Sequence, residues 1–278
     1  MNRGTFSIGR VAWIAENTFR EAVRQRLFLL LVLLAVAVSG GALLLSHRSF
    51  GAPEPGFLLD AGFGILTFFG SILAIAAMAQ LFFSEIERRT VLTVLAKPVW
   101  RAEFVLGKLG GVLLLLLAFS VFGIVFLAGL LWWRQAAMVA AHSDAFANEC
   151  RVSYAAVIAG GMVQWLRLGV LAAVTLLVAT FARNCLFAVV SGFFALVICD
   201  LQNLACQSYR LADSFWIRGT ARLVGGILPD FELYDMVDRV TGVEPLSAGY
   251  LGGITLYSLF YLSAFSGLAV YCFRHREL

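Results

Sequence analysis

Four long apolar runs without Asp, Glu, Lys or Arg constrain this chain more than any other feature. They cover residues 27–46, 61–83, 109–133 and 245–273. A helix that crosses a bilayer needs about 20 mainly apolar residues, and each run supplies that length. Hydrophobic residues make up 61% of the chain and charged residues 14%, whereas soluble domains average about 45–50% and 25%. The sequence therefore excludes an ordinary soluble enzyme and predicts an all-α integral membrane protein.

Two further apolar stretches are interrupted by single charges. The first, 152–182, contains Arg167, and the second is uncharged from Asn184 to Cys199 and then meets Asp200. Counting both, the sequence predicts six transmembrane helices in a single domain that fills the chain, 1–278. We place them at 27–46, 61–83, 109–133, 160–182, 184–205 and 249–273. The long stretch between the last two, 206–248, is too polar to cross.

The first 26 residues show a helical pattern. Val11, Ala15 and Phe19 recur on one side, while Arg10 and Arg20 lie on the other. This pattern predicts an amphipathic helix within 1–26 that lies on the membrane surface. The alternative is an ordinary solvated helix. A cleaved secretory signal is disfavoured, because its apolar core would be about 7–15 residues long.

The distribution of cations predicts the orientation. With the N-terminus in the cytoplasm, thirteen Lys and Arg residues fall in the inner segments and seven in the outer ones. Because cytoplasmic loops carry an excess of Lys and Arg, we expect both termini to be cytoplasmic in a multi-pass protein of the cell inner membrane. The cations are scattered between apolar blocks rather than gathered on one face, which argues against nucleic-acid binding.

The polar loop between the second and third spans, residues 84–108, carries the most information. Leu92 and Leu95 can share an apolar stripe, and Pro98 limits any helix because it disfavours helical backbone in the residue before it. Gly107 and Gly111 are spaced so that another helix can approach closely. On physical grounds alone the loop is either a solvated connector or a short amphipathic helix that docks a partner.

A resemblance decides between these interpretations. The loop has Glu85 or Glu87, then Thr90, Leu95, Pro98 and Arg101 at intervals of three or five residues, and it closes with Val-Leu-Gly-Lys at 105–108. This pattern resembles the cytoplasmic loop of ATP-binding cassette permeases of the ABC-2 type. Segments 14–26 and 228–235 are similar to that family's interfacial helix and to the segment before its last span.

The resemblance implies the membrane half of an exporter. Such a permease pairs with a second copy or a paralogue in the lipid bilayer, and it docks a separate ATP-binding cassette ATPase subunit through a coupling helix in this loop. The resemblance assigns that docking to Glu85, Glu87, Arg88, Arg89, Thr90, Leu92, Leu95, Pro98 and Arg101. Since Gly107-Lys108 is followed by Leu109, the chain has no phosphate-binding GxxxxGK[ST] loop. We therefore expect ATP and Mg²⁺ to bind the partner, and no cofactor to bind this chain.

Four polar residues within the spans are candidates for the transport pathway: Gln80, Gln164, Arg167 and Asp200. For Arg167 we favour a side chain that reaches the membrane surface or bonds a local partner such as Gln164, and a role in a cavity or pathway is the alternative. The four residues form no recognisable acid–base or metal set, so we expect no catalytic or metal-binding residues.

Other functions and one disulfide stay open at this point. The functional alternatives are an ion- or proton-coupled secondary transporter, or a membrane-embedded enzyme or assembly factor without an ATPase partner. Cys150 and Cys206 are both placed outside by the predicted orientation. Their pairing there is open.

Overall fold

The computed structural model of the chain describes residues 7–46, 54–87, 100–141, 154–210, 226, 228–235 and 247–275. These residues form seven α-helices and a short 3-10 helix, Glu232–Tyr234. The α-helices are α1 (Ile8–Val23), α2 (Arg26–Ser46), α3 (Glu54–Glu87), α4 (Arg101–Ala141), α5 (Tyr154–Phe181), α6 (Cys185–Arg210) and α7 (Ala248–His275). The predicted all-α class is confirmed.

Five of these helices, α3 to α7, are long and apolar enough to cross a membrane. A sixth candidate is the pair formed by α1 and the apolar part of α2, Phe28–Gly41, which are bent by 60° from each other. The bend separates the amphipathic segment from the apolar one, as the sequence pattern predicts. The chain is thus an all-α, multi-pass membrane protein.

Helix α5 is the central helix of the bundle. It packs against α3, α4, α6 and α7, and its stretch from Leu168 to Leu176 is almost wholly buried. Small residues allow these close contacts, since a Cβ added at Gly169 would come within 2.9 Å of Leu113. By contrast, α6 exposes large apolar side chains such as Phe187 and Phe194, as expected for a helix that faces lipid.

Helix α1 lies across the beginning of α4. Ala15, Thr18 and Ala22 are its buried residues. The side of α1 that carries Ile14 and Thr18 faces the two glycines whose spacing predicted a close helix approach. An added Cβ would lie 2.6 Å from Ile14 at Gly107 and 2.5 Å from Thr18 at Gly111. The predicted approach is therefore confirmed, and the helix that approaches is the N-terminal amphipathic one. We call this end of the bundle the α1 end and the opposite end the far end.

At the far end, residues 226 and 228–235 are held against α7 by tyrosine side chains. Tyr257 accepts a hydrogen bond from the backbone N–H of Asp230 at 2.8 Å. Tyr250 donates to the carbonyl of Leu233 at 2.7 Å, and Tyr261 donates to that of Gly226 at 3.1 Å. The part of the outer segment that the structure describes is therefore packed on the last helix.

The packing of α1 on α4 can be tested with a single methyl group. In Gly111→Ala the new Cβ would lie 2.8 Å from the backbone oxygen of Ala15, so α1 must move away. We expect a loss of stability of about 1–3 kcal/mol, typical of overpacking, read as a lower melting temperature in detergent. The control is Gly129→Ala in the same helix, where the Cβ meets nothing within 4 Å. Equal melting of the two variants would contradict this packing.

Candidate functional site

The two ends of the loop that resembles the family are joined by a buried ion pair. Glu85 lies in the last turn of α3, and Lys108 lies in the third turn of α4. Lys108 Nζ is 2.5 Å from Glu85 Oε1, so the two groups form an ion pair. The angles at this contact are not those of a hydrogen bond. The Lys108 side chain is fully buried and that of Glu85 is 19% exposed. Since a buried ammonium is costly without a counter-charge, this pair holds the ends of α3 and α4 in one register.

A second buried carboxylate, Glu103, ties α1 to the first turn of α4. Its Oε2 accepts a hydrogen bond from the backbone N–H of Trp100 at 3.1 Å. A Glu side chain that bonds back to the residue before the helix is typical of helix N-termini. Glu103 Oε1 accepts the backbone N–H of Ser7 at 2.8 Å and forms an ion pair with Arg10 at 3.3 Å. The Glu103 carboxylate therefore bonds the N-termini of two helices.

Arg101 and Phe104 extend the connection to the last helix. The guanidinium of Arg101 donates to the carbonyls of Phe273 at 3.4 Å and Arg274 at 2.9 Å, groups that the end of α7 leaves without partners. Phe104 stacks on Phe273, with ring centroids 5.8 Å apart, and Phe82 of α3 lies 5.6 Å from Phe273. We call residues 101–111 the α4 start. It contacts α1, α3 and α7 at one level.

The structure describes only part of the predicted docking set. Glu85 and Arg101 flank the loop as described above, and the backbone of Glu87 ends α3. The remaining residues of that set lie outside the described residues: Arg88, Arg89, Thr90, Leu92, Leu95 and Pro98. Sequence reasoning missed Glu103 and the pairing of Lys108. The one signal for Glu103 is its place three residues after Trp100, where a Glu side chain can cap a helix.

In the spans, Arg167 pairs with Asp200. Arg167 Nη2 donates a hydrogen bond to Asp200 Oδ1 at 2.5 Å. The central carbon of the guanidinium lies 5.1 Å from the ring centroid of Phe231. The partner of Arg167 is therefore Asp200 and not Gln164, and a side chain that reaches the membrane surface stays a prediction. Arg167 stands 14 residues before the end of α5, and Asp200 stands 15 residues after the start of α6. Because these helices are joined by a short turn, that spacing puts both residues at one depth.

The pair lies beside a cavity of about 470 Å³ at the far end of the bundle. Three of the four predicted pathway residues line it, namely Gln164, Arg167 and Asp200. Gln80 is half-buried elsewhere in α3. The other residues that line the cavity are Asp60, Phe63, Gly64, Thr67, Phe68, Ser71, Ile72, Gly160, Phe193, Leu196, Val197, Tyr234 and Asp235.

Gln164 is the unusual member of the cavity wall. Its side chain is 5% exposed, and its Nε2 has no hydrogen-bond partner in the part of the chain that the structure describes. A buried amide nitrogen without a hydrogen-bond partner costs about 1–3 kcal/mol. The wall therefore presents a polar group that a bound molecule can satisfy. Among the described residues no three His, Cys, Asp or Glu side chains are grouped as metal ligands.

Tyr234 closes one side of the cavity. Burial raises the pKa of its phenol to about 12, so the hydroxyl stays protonated at neutral pH. Ser258 gives its own proton to the carbonyl of Ile254 at 2.7 Å. It therefore accepts from Tyr234 across the 2.8 Å contact between the two hydroxyls. Nearby, burial raises the pKa of Asp230, although the N–H of Glu232 partly offsets this.

The asymmetry of the Glu85–Lys108 pair gives a prediction. Glu85→Gln leaves a fully buried ammonium without its counter-charge, whereas Lys108→Met leaves a carboxylate that is 19% exposed to solvent. We expect Glu85→Gln to cost about 3–5 kcal/mol, and both Lys108→Met and the double variant to cost less. Thermal melting in detergent measures the order.

The control for this series is Arg20→Gln, which breaks the exposed pair with Glu16 on α1. An exposed pair of this kind contributes about 0.3–0.5 kcal/mol, so melting should barely change. If Lys108→Met proved more destabilising than Glu85→Gln, the buried ammonium would not be the group that needs the pair.

A search of the curated proteins finds no match. A family model described as ABC-2 family transporter protein matches residues 12–199, which is well over half of the 278 residues. The matched part contains the α4 start and Arg167, and it ends one residue before Asp200. The chain therefore belongs to the ABC-2 family of transporter proteins, as a multi-pass permease and a transport subunit rather than an enzyme.

Proposed function

We propose that this permease is the membrane half of an ATP-driven exporter, working as a dimer with a separate ATP-binding cassette ATPase. The observation that carries the proposal is the α4 start. The loop with the family pattern leads directly into it, and its residues bond α1, α3 and α7. A partner that binds the loop is thus connected to α1, α3 and α7. Of these, α3 and α7 are long enough to cross the membrane.

We expect a movement of the loop to reach the spans through these contacts. A pull on the loop acts on Glu85 at the end of α3 and on Arg101 at the beginning of α4. The Glu85–Lys108 pair keeps these two ends together, and Glu103 carries α1 with them. Since buried ion pairs and packed rings resist continuous deformation, the α1 end moves as one body relative to the far end.

In this proposal the α1 end faces the cytoplasm and the cavity lies toward the outside. ATP and Mg²⁺ bind the partner subunit, whose hydrolysis cycle drives the movement. The substrate pathway forms between two permease copies or between this chain and a paralogue. The loop residues Arg88, Arg89, Leu92 and Leu95 remain the proposed docking surface, with apolar residues giving contact area and charges fixing the register.

The orientation is tested by labelling from outside the cell. In a background whose native cysteines are replaced by serine, we expect an impermeant maleimide to label Glu232→Cys in intact cells. We expect Ser7→Cys and His275→Cys to be labelled only after permeabilisation. Labelling of Ser7→Cys in intact cells would reverse the orientation and remove the docking proposal.

The ATPase partner is tested by affinity purification from the natural host. The wild-type permease should bring an ATP-hydrolysing subunit with it. We expect Leu92→Asp or Arg88→Glu to reduce the bound ATPase about tenfold, as for a central interface residue, while the permease is still inserted. The matched control is Glu232→Gln at the far end, which should retain the partner. Wild-type protein without any ATPase, or full retention in both loop variants, would overturn the proposal.

A further inference from the structure

We propose that the far-end cavity binds an organic cation with an apolar body, and that cations of this class are what the permease exports. The second half of this statement rests on the proposed function. The first half concerns binding to this chain alone. It is carried by three features of the cavity wall, which are its apolar and aromatic surface, its charge balance and the unpartnered amide of Gln164.

The apolar surface decides the general character of the ligand. Phe63, Phe68 and Phe193 come from α3 and α6, and aliphatic side chains such as Ile72 and Val197 fill the wall between them. A cavity of about 470 Å³ lies within the range of sites for small organic molecules. A strongly hydrated inorganic ion gains nothing from such a wall, whereas an apolar body does, and aromatic faces attract cations.

The charges of the cavity wall determine whether the ligand is a cation or an anion. Among the described residues of the wall there are three carboxylates, Asp60, Asp200 and Asp235, against the single guanidinium of Arg167. That guanidinium is bonded to Asp200 at 2.5 Å and lies on the ring of Phe231. The described residues of the wall therefore have a negative formal balance, and the exposed Asp60 keeps it negative whatever Asp235 contacts. A cation is attracted there and an anion is repelled.

The side chain of Gln164 gives independent support for the binding of a ligand in this cavity. A polar side chain that is 5% exposed normally has a hydrogen-bond partner, and Gln164 Nε2 has none in the described part of the chain. The amide lines the cavity next to the level of the Arg167–Asp200 pair. It can bond an acceptor atom on a ligand whose charged group lies toward the rim.

The sign is tested with two probes of matched size and shape, tetraphenylphosphonium and tetraphenylborate. Equilibrium dialysis measures the binding of each to nanodiscs with and without the purified permease, in the absence of any ATPase. We expect the cation to bind and Asp60→Asn/Asp235→Asn to weaken its binding about tenfold, the scale of a lost charge interaction. Tetraphenylborate should not lose affinity in that variant.

Two controls locate the binding. Glu232→Gln removes an exposed carboxylate three residues from Asp235 that does not line the cavity, and it should leave binding unchanged. Gly64→Leu should abolish binding by filling the cavity, since a Cβ there meets nothing within 4 Å and the fold is kept. Its counterpart Gly129→Leu, equally open but outside the cavity wall, should bind normally. Equal loss in Gly64→Leu and Gly129→Leu would overturn the assignment to this cavity.

The amide is tested with benzoylcholine, a quaternary ammonium ion with a phenyl group and an ester carbonyl. By calorimetry, Gln164→Leu should weaken benzoylcholine binding about tenfold, the upper range for a neutral hydrogen bond, and should leave tetraphenylphosphonium unaffected. The same loss for both probes, or none for either, would overturn the role of Gln164.

These outcomes are separable from those that test the export function. The ligand class is overturned if tetraphenylborate binds as well as the cation, or if the Asp60→Asn/Asp235→Asn variant binds the cation as well as the wild type does. Neither result affects the ATPase purification. Conversely, a permease that recruits no ATPase but binds the cation through Asp60, Asp235 and Gly64 keeps the binding site and removes only the ATP-driven export.

Discussion

The buried charges of the α4 start are the constraint on which the arrangement of the α1 end depends. Glu103 and Lys108 are both fully buried in a largely apolar bundle. A buried charge is tolerated only with its partners in place, so the positions of Glu85, Arg10 and Ser7 are specified by these two residues. Apolar packing alone would let helices slide or rotate at little cost, because lipid tails are as apolar as the helix surfaces.

The two ends of the bundle differ in what their polar groups contact. At the α1 end, Glu103 accepts hydrogen bonds from two backbone groups and forms an ion pair with Arg10, and Arg101 bonds the last carbonyls of α7. At the far end, the amide nitrogen of Gln164 lacks a hydrogen-bond partner in the described chain and lines a cavity. Contacts between helices suit the proposed transmission of movement, and a polar group beside a cavity suits the proposed binding of a ligand.

One pairing within the spans follows from the sequence by counting residues. Arg167 and Asp200 lie at almost equal distances from the turn between α5 and α6, so an antiparallel hairpin brings them together. Gly107 and Gly111 correctly predicted a close approach, yet their spacing does not say which helix approaches. That helix is α1, which meets Gly107 at Ile14 and Gly111 at Thr18. The burial of Glu103 could not be foreseen, since its partners Ser7 and Arg10 lie almost a hundred residues earlier.

By itself the sequence determined the class of the molecule. Apolar runs of span length, an amphipathic first helix and the 84–108 pattern are local features, and bilayer thickness and helix periodicity act on them locally. Only the tertiary structure decided that α1 packs on α4, that residues 228–235 cover α7, and that a cavity joins Asp60, Gln164 and Asp235. These features bring together side chains from distant segments, and their free energy depends on which surfaces meet rather than on any one segment.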